Sequence, residues 1–201
     1  MLITCLRVST PVYVVLLHYP ILNRQGEVVA TAVTNMDIHD IARTAKTYGA
    51  KRYYVVTPII EQHEIVGRIL EHWRSDYSRE YHPDRVNALS LVKLASSFEQ
   101  VKAEVLEESG ESPEIVFTDA RKMKSQVSFS EFRKNFETQL AKGRTQPLMV
   151  VLGTGWGIAP ELYKAANHVL EPLYGPGKEE GYNHLSVRAA AAAIMDRLFG
   201  L

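Results

Sequence analysis

A glycine-rich turn follows a short apolar run in LMVVLGTGWG, residues 148–157. The run is too short for a typical helix and is β-branched at its centre, so a buried strand is predicted. Gly153, Gly155 and Gly157 would then let a ligand approach the backbone closely. Because ligands in open α/β sheets bind beyond the carboxyl ends of strands, a ligand-binding turn is favoured over a glycine-rich connection without a ligand.

Spacing excludes several well-known catalytic motifs. A phosphate-binding loop needs a glycine and a hydroxyl where the chain has Pro172 and Glu179. The dinucleotide fingerprint lacks its third glycine, since Ile158 stands there. The zinc-protease helix lacks its second histidine, because Gly67 occupies that position, and no G-x-S-x-G sequence occurs. Hydrolase and nucleoside-triphosphatase functions are therefore disfavoured.

The composition of the chain is that of an ordinary globular protein, which can supply the helices and strands that position this turn. Of 201 residues, 46% are hydrophobic and 23% charged, which is enough for a sizeable core. The formal net charge is zero, so attraction of the whole protein to nucleic acid cannot be assumed. Any RNA contact must therefore use a local positive patch.

The single cysteine, Cys5, excludes an internal disulfide framework and a cysteine-rich zinc site. It indicates a reducing compartment, and the cytoplasm is the expected location. No apolar run approaches the roughly 18 residues of a membrane span, so no membrane association is expected. The N-terminal MLITCLRVSTPVYVVLL lacks a basic flank and a clear cleavage site, and is interpreted as a strand and not a signal peptide.

Hydrophobic periodicity predicts strands that alternate with helices. Strands are predicted at 12–17, 53–57, 115–117 and 149–152, with a further strand end at 172–174. Helices are predicted at 37–48, 129–140, 162–170 and 185–199. Residues 61–81 and 86–108 are predicted as two long helices or a broken pair.

This alternation predicts an α/β fold, a mainly parallel sheet with helices on both faces. No repeat, low-complexity tract or linker divides the chain. A single domain over 1–201 is therefore expected, with a helical insertion at about 61–110.

Three widely separated segments carry a family resemblance: TNMDIHDIARTAKTYGAKRYYVVTP at 34–58, VVLGTGWGIAPEL at 150–162 and EPLYGPGKEEGYNHLSVRAAAAAI at 171–194. Arg43 to Gly49 is similar to R-x-A-x-x-(F/Y)-G, and His184 to Val187 to N-V-S-V. Asp37 stands where asparagine is common. Together the segments resemble the three motifs of the SPOUT class of RNA methyltransferases, in a branch related to the tRNA guanine-N1 methyltransferases.

The resemblance implies a deep C-terminal trefoil knot that holds S-adenosylmethionine (SAM). It also implies a homodimer whose active site draws on both subunits, and an RNA substrate, either tRNA or rRNA. Knots are otherwise nearly absent from proteins, so the knot follows from the resemblance alone.

The resemblance implies that backbone groups of three segments bind the cofactor. Trp156 would either wall the pocket or cap the core, and Ser186 would either bond the cofactor or only cap a helix. The predicted cofactor-binding residues are Leu152, Gly153, Thr154, Gly155, Trp156, Leu173, Tyr174, Gly175, Asn183, His184, Leu185 and Ser186.

Methyl transfer from a sulfonium requires positioning and removal of a proton from the accepting atom. Asp37, His39 and Asp40 are the candidate bases. Arg43 is assigned to positioning a phosphate or carboxylate, because arginine does not readily deprotonate. For Asp40, the alternative is a structural ion pair with Arg43 three residues further along a helix.

Several basic clusters are candidates for RNA contact. The compact run Arg121-Lys122-Met123-Lys124 is favoured because it follows a strand end. The other candidates are Lys51 with Arg52, the set Arg68, Arg74 and Arg79, and Lys142 with Arg144.

The sequence leaves two other functions open. One is a non-catalytic module that keeps the fold and binds RNA or a protein partner. The other is a different nucleotide-dependent enzyme on an α/β sheet.

Overall fold

A computed structural model describes residues 10–201. Cys5 and the first part of the predicted N-terminal strand lie outside the described residues. The strands are β1 (Val12–Leu17), β2 (Ile21–Leu22), β3 (Val28–Val29), β4 (Arg52–Val56), β5 (Val92–Ala95), β6 (Glu114–Phe117), β7 (Leu148–Gly153) and β8 (His168–Val169). The α-helices are α1 (Asn35–Thr47), α2 (Ile60–His72), α3 (Asp76–Tyr81), α4 (Pro83–Leu89), α5 (Phe98–Ser109), α6 (Phe129–Ala141) and α7 (Val187–Phe199).

Six strands form one sheet in the order β5-β4-β1-β7-β6-β8. Every pairing in it is parallel. β1 lies between β4 and β7, and all six of its residues are buried. A continuous apolar strand of this kind is typical of a sheet covered on both faces. The predicted parallel α/β architecture is confirmed.

Alternate residues of the central strands enter two separate cores. Val14 and Val150 pack with α1, α2, α4, α6 and α7 on one face. Val15 and Val151 pack with α5 and with Ile158 on the other face. The prediction of helices on both faces is confirmed as well.

α1 carries the first motif and begins close to the carboxyl edge of the sheet. Ile38, Ile41 and Ala45 lie on one buried stripe, and Thr34 caps the helix by accepting a hydrogen bond from the Asp37 amide. The helix ends before Gly49, whose φ of 74° suits glycine. The predicted helix at 37–48 is thus confirmed, with its start two residues earlier.

Two predicted helices are wrong in part. The helix at 86–108 is interrupted by β5, an edge strand that pairs with β4. The segment 61–110 is therefore not purely helical, since it supplies one strand of the main sheet. The helix at 162–170 is replaced by a 3-10 helix, Pro160–Ala165, followed by β8.

The predicted strand end at 172–174 is also wrong, because these residues form no strand or helix. Between residues 10 and 201, no helix combines the length and the apolar character needed to cross a membrane.

Candidate functional site

A cavity of about 800 Å³ opens at the carboxyl edge of the sheet. Its walls include the residues that follow four parallel strands: His18 after β1, Thr118 after β6, Thr154 after β7 and Glu171 after β8. Parallel strands all end at the same edge, so these side chains converge although they are far apart in sequence. The volume lies within the usual range for pockets that bind small molecules.

The glycine-rich turn forms one wall, and Leu152 to Trp156 all line the cavity. The small β2–β3 hairpin holds the turn in place. The Leu22 amide donates to the Gly157 carbonyl at 2.8 Å, and the Trp156 amide donates to the Leu22 carbonyl at 3.0 Å. Gly155 has a φ of 55°, and a Cβ there would lie 2.8 Å from Ile21 Cγ2. Glycine is therefore required at 155 by the hairpin that lies against it.

Trp156 lines the cavity and stays 55% exposed. This exposure excludes the interpretation that Trp156 caps the core. A large exposed aromatic surface beside a cavity is available for contact with a planar ligand.

The third motif forms the opposite wall. Asn183, His184 and Leu185 line the cavity, as does Leu173 further upstream. Ser186 accepts a hydrogen bond from the Ala189 amide at 3.2 Å and caps α7. The helix-cap role is therefore the one that the structure shows for this serine.

Tyr174 and Gly175 do not line the cavity. The ammonium group of Lys178 lies 3.7 Å from the centre of the Tyr174 ring, so that ring has a cation as its neighbour.

Asp37 is the one predicted catalytic residue that lines the cavity. It is 5% exposed, and each carboxylate oxygen has a partner. The Arg188 guanidinium donates to Oδ1 at 2.9 Å, and the Thr34 hydroxyl donates to Oδ2 at 2.6 Å. A buried carboxylate with this pair of donors is held in a single orientation.

The other three predicted catalytic residues lie outside the cavity lining. Asp40 is exposed and lies 3.5 Å from Arg188 Nε, so its ion pair is with Arg188 and not with Arg43. The His39 ring contacts Trp73 edge-on at 5.3 Å. Burial, together with Arg85 and Arg43, lowers the pKa of His39, and Asp40 opposes the shift. Arg43 is exposed on α1.

His18 was not predicted as a site residue, although it lines the cavity and is fully buried. Its Nδ1 lies 3.0 Å from the Thr31 hydroxyl, and the Thr31 and Thr154 hydroxyl oxygens are 2.6 Å apart. Burial lowers the pKa of His18 to about 4, an effect that Asp37 partly opposes. The position of His18 directly after a buried strand is the sequence signal that could have identified it.

Asp119 and Arg121 form a second group that the sequence prediction did not assign to the cavity wall. Asp119 accepts two hydrogen bonds from the Arg121 side chain, at 2.7 and 2.9 Å, and a third from the Tyr163 hydroxyl. Burial disfavours the charged carboxylate, but these donors together hold the pKa of Asp119 below its usual value. The Arg121 guanidinium is thus engaged with Asp119, which weakens its prediction as a free phosphate contact.

Comparison with known proteins places this chain in a family. Residues 11–200 match the family model of SAM-dependent RNA methyltransferases. The chain is 38% identical over 192 residues to an uncharacterized protein of Aquifex aeolicus, covering 96% of this chain and 90% of that protein.

Two tRNA (guanine-N(1)-)-methyltransferases are also similar. The protein of Oleidesulfovibrio alaskensis is 36% identical over 188 residues, and that of Nitratidesulfovibrio vulgaris is 37% identical over the same length. Each match covers 94% of this chain but 42% of the relative. The chain therefore spans less than half the length of these two enzymes.

Solved structures agree on the fold. A probable methyltransferase of Bordetella pertussis superposes with a TM-score of 0.62 at 14% identity, covering 96% of both chains. The SpoU methyltransferase AviRb of Streptomyces viridochromogenes, in complex with AdoMet, gives a TM-score of 0.53 at 16% identity. That match covers 95% of this chain and 57% of AviRb.

Proposed function

This chain belongs to the family of SAM-dependent RNA methyltransferases, and on that premise we propose that it methylates tRNA, using the cavity at the carboxyl edge of its sheet. The observation that carries the proposal is the convergence of all three motif segments on this cavity. Asp37, the glycine-rich turn and the residues before α7 line it together. Similarity to two tRNA (guanine-N(1)-)-methyltransferases supports tRNA as the substrate class.

The walls of the cavity fit the cofactor. Leu152, Leu173 and Leu185 supply apolar surface, and Trp156 supplies an aromatic face. A nucleoside needs such a dry pocket together with backbone partners, which the turn after β7 offers. When bound, SAM supplies an electrophilic methyl group on a sulfonium.

Nine predicted cofactor residues form these walls in the proposal: Leu152, Gly153, Thr154, Gly155, Trp156, Leu173, Asn183, His184 and Leu185. Ser186 then acts by fixing the start of α7. The knot implied by the resemblance is part of the same proposal, as is the interpretation of residues 1–201 as a single domain.

The direct test has two steps. Calorimetry with SAM should show binding, and labelled methyl groups should then pass from SAM into total RNA from cells that lack this gene. Mapping the labelled nucleoside would identify the RNA class. Labelling of rRNA alone would contradict tRNA as the substrate, and RNA binding without label would favour the non-catalytic alternative.

We also propose that the protein is a homodimer whose subunits complete each other's sites. Arg43 supports this proposal because it belongs to the first motif yet is exposed and outside its own chain's cavity. Met36, which precedes Asp37 on α1, is 58% exposed and offers apolar surface for an interface. The arrangement would place Arg43 of one chain near the cavity of its partner.

Mixing two inactive variants tests this arrangement. If Asp37 and Arg43 serve the same site from different subunits, an equal mixture of Asp37→Asn and Arg43→Ala proteins should recover about a quarter of wild-type activity. Half of the dimers are then mixed, and each mixed dimer has one intact site. If both residues act within one chain, the mixture should stay inactive.

A further inference from the structure

The His18 side chain lies in the cavity wall, and its two ring nitrogens differ in their hydrogen bonding. Its Nε2 is buried and has no hydrogen-bond partner among the described residues. A buried polar atom without a partner costs free energy, so in a native protein it calls for an ordered water, a ligand or a reaction that uses it. In this case the atom belongs to a residue that lines the cavity proposed for SAM.

Hydrogen bonding around Thr31 determines which nitrogen of His18 carries the proton. The Thr154 hydroxyl donates to the Leu17 carbonyl at 3.0 Å, which uses its only proton. In the 2.6 Å contact between the two threonines, Thr31 must therefore be the donor. The Thr31 oxygen is then left to accept from His18 Nδ1 at 3.0 Å.

One competing contact is too long to change this assignment. The Thr31 hydroxyl also lies 3.5 Å from the His18 carbonyl, beyond the usual range for such bonds. Nδ1 therefore holds the proton, and the lone pair of Nε2 is unprotonated. The low pKa of His18 keeps the ring neutral near neutral pH.

Both carboxylate oxygens of Asp37 accept hydrogen bonds, which hold the side chain in one orientation. Its negative charge stabilises the protonated form of the His18 ring, because it raises the pKa of that ring. Arg188, which also lines the cavity, is paired with this carboxylate and keeps it in place.

We propose that His18 is a catalytic residue, and that its Nε2 removes the proton from the RNA atom that receives the methyl group. The accepting N–H or O–H uses a lone pair to form the bond to the methyl carbon. The bond from that carbon to sulfur breaks, and its electrons leave a neutral thioether. The proton of the acceptor passes to Nε2, so the positive charge of the sulfonium ends on an imidazolium near Asp37.

A weak base is sufficient for this step. The N–H or O–H becomes strongly acidic as positive charge develops on the accepting atom, so a histidine of low pKa can take the proton late in the reaction. The inference rests on the proposed methyltransferase function, and the experiments distinguish a wrong assignment of the base from an absence of methyl transfer.

Two substitutions remove the proposed base, and each keeps a different hydrogen-bonding feature of the ring. In His18→Asn, the amide group can still donate to Thr31, but nothing stands at the Nε2 position. In His18→Gln, an amide reaches that position and can accept a hydrogen bond but cannot take a proton. We expect kcat to fall by about 100-fold or more in both variants, while the affinity for SAM is retained.

His63→Gln is the matched control, because His63 lies outside the cavity and its Nε2 contacts the Thr57 carbonyl at 2.6 Å. It should keep wild-type kcat. Wild-type kcat in either His18 variant would overturn the proposal, as would a loss of SAM affinity with kcat unchanged at saturation. If the wild-type protein itself transfers no methyl group, the proposed function fails and this inference fails with it.

Nitrogen NMR of the wild-type protein gives a readout that needs neither turnover nor a variant that folds. At about neutral pH, His18 Nε2 should resonate as an unprotonated ring nitrogen, and its signal should shift when SAM is added. A proton on Nε2 of the free protein would overturn the proposal. A signal that does not move while calorimetry records SAM binding would do the same.

Discussion

The Arg188 guanidinium donates to the Asp37 carboxylate at 2.9 Å and joins two residues that are 151 positions apart in the chain. Asp37 belongs to the first motif segment and Arg188 to the third. The Asp37 side chain is 7% exposed and that of Arg188 28%. An ion pair shielded to this extent fixes the start of α7 against the start of α1.

Removing the arginine should destabilise the protein. Arg188→Ala leaves a buried carboxylate with one donor fewer, and we expect the free energy of unfolding to fall by about 1–3 kcal/mol. Denaturation of Arg188→Ala, Asp37→Asn and the double variant forms a cycle. The coupling free energy should be about 1–2 kcal/mol in favour of the pair.

Arg79→Ala is the control for this cycle, since Arg79 pairs with Asp76 at 3.6 Å with both side chains largely exposed. Its effect should stay below about 0.5 kcal/mol. Additive effects in the Arg188 and Asp37 cycle would show that the two residues do not stabilise each other.

Gly155→Val should damage both the turn and the site. The new Cβ would lie 2.8 Å from Ile21 Cγ2 and 3.1 Å from the Leu22 carbonyl oxygen, at a φ of 55° that valine avoids. We expect the affinity for SAM in calorimetry to fall by about tenfold or more, with a loss of about 1–3 kcal/mol in stability.

Gly67→Ala is the comparison for this variant, because a Cβ at this position of α2 meets no atom within 4 Å. It should raise stability by up to about 1 kcal/mol and leave SAM binding unchanged. Tight SAM binding by Gly155→Val would show that the turn is not part of the cofactor site.

Trp156 should report cofactor binding by its fluorescence. The chain has two tryptophans, Trp73 and Trp156, and only Trp156 lines the cavity. In Trp73→Phe, titration with SAM should change the remaining emission, because the ligand replaces water around the exposed indole ring. In Trp156→Phe the change should disappear, and a response that follows Trp73 instead would place SAM elsewhere.

His18 should make stability depend on pH in the acid range. Its pKa is about 4 in the folded protein, below the 6.5 of an unfolded chain, so the unfolded state binds the proton more readily. The contribution of the neutral ring to stability is therefore complete above about pH 6.5 and is lost as the pH falls towards 4. The total loss is about 3 kcal/mol.

Chemical denaturation of the wild type and of His18→Gln at several pH values measures this loss. The glutamine variant does not titrate at position 18, so the difference in stability between the two proteins should shrink as the pH falls. The lowered pKa of His39 affects the stability of both proteins equally, so it does not contribute to the difference between them. A difference that does not vary with pH would contradict the buried neutral state of His18.

Helices and strands can be predicted from the sequence where the hydrophobic pattern is local and continues over many residues. α1 shows a full apolar stripe from Ile38 to Ala45, and β7 is a continuous apolar run, so both follow from periodicity. β5 has only four residues, of which Lys93 and Leu94 are partly exposed. Its strand conformation depends on pairing with β4, a contact between distant segments that periodicity does not reveal.

The same distinction applies to the site. The glycine-rich turn is visible in the sequence, because its residues are consecutive and chemically unusual. The polar residue after each buried strand, such as His18 or Thr118, can be found only once the strands are known to end at a common edge. The pairing of Asp37 with Arg188 needs the three-dimensional arrangement of α1 and α7.

Two hydrogen bonds between Leu22 and the turn after β7 make the hairpin part of the binding equilibrium. A ligand that binds only the ordered turn must also favour the ordered hairpin, because the two share these bonds. Amide hydrogen exchange at Leu22 and at its neighbours should slow as the cofactor saturates the protein. A segment that contributes no residue to any of the three motifs is therefore thermodynamically linked to cofactor occupancy.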